Sequence, residues 1–196
     1  MIRLGDDLRA SYAFAERNFF LTRRTWPWEA AFLVYSVASA LSITLIGVDQ
    51  GSGRLVLALI VGAIFWNYLS VVFGWIAETI AVERWEGTLE YTMMAPIRRS
   101  TRLVGQVAYA MVYGLVHTAA IFLVMILFFP QIDLSKANPA AALVFMALGS
   151  FSFVGIGILA AILPLLYVER GAQMTSVVQS TLLLISGVYY PITVLP

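Results

Sequence analysis

His117 is the only histidine in the chain and there is no cysteine, so few side chains could break bonds. Serine nucleophilic chemistry would pair that imidazole with Ser150 or Ser152, yet no Gly-x-Ser-x-Gly turn presents a strained, exposed hydroxyl. Metal chemistry lacks ligands, because one imidazole, no thiolate and no carboxylate pair inside the apolar runs cannot fill a coordination shell. A phosphate-gripping loop needs Gly-Lys-Ser or Gly-Lys-Thr, and the single lysine, Lys136, stands between Ser135 and Ala137. Any ATP use, with its Mg, therefore belongs to another chain. What remains is chemistry of contact. Gln106, Tyr109, Tyr113 and His117 fall within about 80° of one another on a helix, opposite Val104, Met111, Leu115 and Phe122. That polar, aromatic face has two readings: the wall of a route for an amphipathic molecule, or groups completing hydrogen bonds with neighbouring helices. Asn67, amid an apolar run, divides the same way between a helix-helix hydrogen bond and substrate contact.

The elements that must position these residues are membrane helices. Hydrophobic residues make up 61% of the chain and charged ones 12%, against about a quarter charged in soluble domains. The mean hydropathy is +0.87. Apolar runs cover residues 28–48, 55–77, 103–129, 140–168 and 173–190. Most match the ~20 residues that cross a ~30 Å hydrocarbon core, and the fifth is near the lower limit. The expected fold is an all-α integral membrane protein of five visible spans, one domain over residues 1–196 with a cytoplasmic amphipathic stretch at 1–27. Lys and Arg divide 10 to 2 between alternate sides. That bias places the amino terminus and the segment between the second and third spans in the cytoplasm, and the short loops near Gly51 and Asp133 outside. A net charge of +1 without a basic patch argues against nucleic acid. No cleavable leader is expected, since residues 1–27 are charged and the first apolar run is too long. The absence of cysteine fits either redox compartment.

Between the second and third spans lies a charged island, ETIAVERWEGTLEYTMMAPIRRSTR, from Glu78 to Arg102, which holds eight of the chain's charged residues. Gly87 breaks the incoming helix, Thr88 can cap a new one, and Pro96 stops it, predicting a short amphipathic helix from Thr88 to Ala95. Leu89, Met93 and Met94 form its apolar side; Glu83, Glu86 and Glu90 precede or begin it, and Arg98, Arg99 and Arg102 follow. Such a segment suits docking into another protein's groove.

In these residues the chain resembles the permease subunits of ABC-2 type exporters. Glu83, Gly87-Thr88-Leu89-Glu90 and Pro96-Ile97-Arg98-Arg99 echo that family's first motif, and Ser186-Gly187-Val188-Tyr189-Tyr190-Pro191 with Leu195-Pro196 its second. The resemblance covers roughly residues 78–196. It implies that the island is a coupling helix, with Glu83, Glu86, Gly87, Thr88, Leu89, Glu90, Met93 and Pro96 meeting an ATP-binding cassette subunit. It also implies a dimer of permeases, homomeric or heteromeric, in the inner membrane, and a sixth span beyond Pro196. The substrate class stays open among drugs, lipids and polysaccharide carriers. Two rivals stand beside this reading, a secondary transporter and a structural membrane subunit. The first usually needs ionisable groups near the midplane, and all eleven carboxylates lie at or outside the span ends.

Before the island, Leu4, Leu8, Tyr12, Ala15 and Phe19 recur at helical spacing, predicting an interfacial helix. Trp26 and Trp28 mark the headgroup level around Pro27, which favours a helix start. Ser36, Ala40 and Thr44 form a small-residue strip on the first span, suited to close packing. Downstream, Pro164 predicts a kink, and residues 167–171 a tight turn.

Overall fold

The computed structural model describes residues 4–49, 53–129 and 138–190, and these are helical with short joints. The helices are α1 (Leu4–Arg24), α2 (Trp26–Asp49), α3 (Gly53–Trp85), α4 (Leu89–Met94), α5 (Arg99–Phe128), α6 (Pro139–Ala160), α7 (Ile162–Leu166) and α8 (Gly171–Ser186). Among the described residues, four stretches are long and apolar enough to cross a membrane: residues 26–49, 55–85, 99–128 and 139–166. The fifth expected span is the 16-residue α8, about 24 Å long at 1.5 Å per residue and so short of a ~30 Å core. The outward loops expected at Gly51 and Asp133, and Pro191 with Leu195-Pro196, lie outside the described residues.

Helix α3 is the hub, packing against α2, α5, α6, α7 and α8. Its Tyr68, Val72, Phe73 and Ile76 are fully buried, with Met146 of α6 packing against Tyr68, Val72 and Ile76. The small strip on α2 is used as expected: Ala40 and Thr44 are buried, and Thr44 Oγ1 returns its hydrogen to the Ala40 carbonyl at 2.8 Å. A second cluster joins Ala40 to Ile60, Ala63, Ile121 and Met125. The exterior is apolar, with Val34, Tyr35, Leu127 and Phe151 all exposed. A water-soluble fold would hide such a surface; a bilayer accepts it.

Prolines set the joints. Pro27 cannot donate to the Arg23 carbonyl, and the chain divides into α1 and α2 at Thr25, whose N–H still reaches the Leu21 carbonyl at 3.1 Å. Pro164 likewise cannot donate to the Ala160 carbonyl, the residue at which α6 ends before α7 begins. The turn expected near residues 167–171 is present, closed by Gly171 N–H to the Tyr167 carbonyl at 2.8 Å.

Helix α1 runs beside the base of α5. Contacts advance together along both helices, from Asp7 with Thr101, through Ser11 with Thr101, to Thr22 with Tyr109. Its polar side therefore faces protein, and Leu8, Tyr12 and Phe19 face away from it, the reverse of an ordinary soluble amphipathic helix.

Candidate functional site

The island folds into a knuckle between α3 and α5. Gly87, at φ +70° in the left-handed region, ends α3, and the Thr88 N–H closes the turn onto the Glu83 carbonyl at 2.9 Å. Thr88 does not cap α4 as expected: its hydroxyl makes no capping bond and instead points back to the same Glu83 carbonyl at 3.4 Å. The helix is shorter than predicted, from Leu89 to Met94, and Ala95 is extended because Pro96 follows it.

The sequence grouped Leu89, Met93 and Met94 on one docking side, and the structure divides them. Leu89 is buried within the chain, so it anchors α4 to its own protein. Met94 is 82% exposed and Met93 47%, joined by two aromatics the sequence reading passed over, Tyr91 at 78% and Trp85 at 79%. Their signal was available: both are large apolar residues inside a charged island. Glu86, Gly87, Thr88, Glu90 and Pro96 are exposed around them. Arg84 and Glu90 face each other at 3.7 Å across the α3–α4 turn.

Glu83 stands apart from that rim. It is 1% exposed, accepting from Arg17 of α1 at 2.7 Å and from Arg102 of α5 through its other oxygen. A buried carboxylate is tolerated only when paired, and here two guanidiniums meet it from two helices. Beside this centre, Asp7 accepts from Thr101 at 2.9 Å and pairs with Arg98 at 3.3 Å, while Ser11 donates to the Thr101 carbonyl at 2.8 Å. A Cβ on Gly105 would sit 2.3 Å from the Ser11 carbonyl oxygen, so α1 rests directly on α5 backbone. The root of α4 is thus locked to α1, α3 and α5 at once.

The polar face of α5 is placed partly against these neighbours. Tyr109 donates to Thr22 at 2.6 Å, Tyr113 donates to Glu29 of α2, and Trp75 of α3 meets both rings edge-on at 5.1 Å. Tyr113 stacks on His117 with centroids 5.8 Å apart, and Phe32 of α2 covers the imidazole at 5.3 Å. Gln106 is buried, with Oε1 unpartnered. Asn67 on α3 keeps a buried, unpartnered Nδ2 and is not joined to the α5 group by any hydrogen bond shown. Ser150, the alternative nucleophile, is buried against Tyr68, their hydroxyls 2.8 Å apart, and donates to the Met146 carbonyl at 2.7 Å. It does not meet His117. Among the described residues, no cluster of three metal-ligating side chains forms.

The sequence model of the ABC-2 type transporter family matches residues 10–196. No protein of curated function and no solved structure matches the chain.

Proposed function

The chain belongs to the ABC-2 type transporter family, and on that premise we propose that it is the permease subunit of an exporter. In this reading it moves a drug, lipid or polysaccharide-type substrate out of the cytoplasm, while ATP and Mg are handled by a separate ATP-binding cassette subunit. A second permease copy, identical or different, completes the assembly. The knuckle carries the proposal. Trp85, Tyr91, Met93 and Met94 are exposed on a segment that also exposes Glu86, Glu90 and Arg99, the composition of an interface anchor with a polar rim. Its root is rigid, because the buried Glu83 ties α3 to both α1 and α5. A push on α4 is then passed to three helices rather than absorbed in a hinge.

The inner membrane is the proposed location, with α8 and the apolar residues that follow it as a fifth crossing and the amino terminus in the cytoplasm. The arginine-rich side of the chain is the side of the knuckle, which supports that orientation. In the same frame Leu8, Tyr12 and Phe19 rest α1 on the inner lipid surface.

The test separates docking from folding. Met94→Asp places a charge on a side chain that is 82% exposed, so the permease should fold while losing its hold on the ATP-binding subunit. Co-purification should fall by at least about tenfold, the equivalent of ~1.4 kcal/mol in binding. Undiminished co-purification together with normal ATP-coupled transport would remove α4 from the interface.

A further inference from the structure

A groove of about 200 Å³ opens between α2 and α5, away from the knuckle, and its walls are chemically uneven. Glu29, Tyr113 and His117 supply polar atoms; Leu33, Val116 and Ala120 supply apolar surface. Glu29 and Tyr113 lie nearer the start of α2, with Leu33 one turn further along it and Ala120 two turns beyond Tyr113 on α5. The groove therefore runs from a charged mouth to an apolar trough. Among the described residues the Glu29 side chain has no ion pair, and its carboxylate accepts from the Tyr113 hydroxyl. A carboxylate in the first turn of a helix is ordinary, since the helix start favours it. The imidazole beside it is not so explained. His117 is 6% exposed, lines this groove, and its Nε2 has no partner.

We infer that this groove binds the protonated primary or secondary amine of an amphipathic molecule, with Glu29 as counter-charge and His117 Nε2 as a second acceptor. The ammonium N–H groups satisfy both oxygen and nitrogen. A quaternary ammonium has no hydrogen to give Nε2, and an anion meets the Glu29 carboxylate. About 200 Å³ is below the ~300–1,000 Å³ of sites that enclose a drug-sized ligand, so only the amine end and its first carbons fit inside. The rest of the molecule leaves past Val116, which is 67% exposed on the apolar exterior. The site needs no ATP-binding partner, and its failure would leave the docking test of Met94 untouched.

The experiment uses the full chain in lipid nanodiscs and a long-chain primary alkylamine bearing a photoreactive diazirine, with labelled peptides located by mass spectrometry. Labelling should fall on the peptides carrying Glu29–Leu33 and Tyr113–Ala120. Dodecylamine should compete at least about tenfold better than dodecanol, the worth of one charge-assisted contact, and better than dodecyltrimethylammonium. Glu29→Gln, which keeps an oxygen for Tyr113, should abolish that preference for the amine. Ala120→Phe, which fills the trough and leaves the carboxylate, should abolish labelling as well. Competition by phosphatidylethanolamine placed in the disc identifies a lipid amine as occupant; labelling unchanged by that lipid identifies a free amphiphile. Equal competition by dodecanol, or labelling that survives Ala120→Phe, would overturn the site.

Discussion

A carboxylate that is 1% exposed needs partners in place of water, and for Glu83 those are Arg17 and Arg102. Removing it leaves Arg102, whose side chain is 9% exposed, as an uncompensated buried charge. Glu83→Ala should therefore lower stability by about 3–5 kcal/mol. Arg17→Ala should cost less, because the Arg17 side chain is 39% exposed and water replaces part of what it loses. Thermal unfolding in detergent, followed by intrinsic fluorescence, measures both. Equal losses, or a Glu83→Ala loss below about 1 kcal/mol, would dissolve the triad. In the sequence Glu83 looks like one more rim charge of the island, grouped with Glu86 and Glu90. Its partners are 66 and 19 residues away, and no local spacing brings Arg17 near it. The burial of Leu89 is not legible for a related reason: the apolar side of a six-residue helix can be buried in its own chain or offered to another, and its periodicity is the same in both cases.

Elements were more legible than their contacts. The first four long apolar runs, the Gly87 break, the Pro27 start and the Pro164 interruption are written in local composition and backbone chemistry, and each appears where it was expected. The docking of α1 on α5 was not readable, because helical periodicity shows that Leu8, Tyr12 and Phe19 share a side but not that the opposite, polar side meets protein. Gly105 makes this contact possible. Gly105→Ala puts a Cβ at 2.3 Å from the Ser11 carbonyl and must push α1 away. Gly155→Ala, where nothing lies within 4 Å, should be neutral or stabilise by about 0.5–1 kcal/mol through helix propensity. Hydrogen exchange should accelerate across α1 in the first variant and be unchanged there in the second. Equal protection of α1 in both would mean that the helix is not held by this contact.

On the scale of the whole molecule, an apolar exterior, four span-length helices and a rigid charged knuckle at one end belong to one design. The membrane character was evident from composition alone, whereas the length of α8, 16 residues ending at the left-handed Gly187, was not, since the apolar run continues through the point where the helix stops. The central claim is that the knuckle end meets the ATP-binding subunit. Because the chain has no cysteine, a single introduced thiol is the only attachment point for a reagent. Met94→Cys at the knuckle and Leu127→Cys near the far end of α5 are both highly exposed, at 82% and 72%. Each would be coupled to a maleimide carrying a photocrosslinker in membranes that also contain the ATP-binding subunit. The account predicts a crosslinked ATP-binding subunit from Met94→Cys and none from Leu127→Cys; crosslinking from Leu127→Cys alone would contradict it.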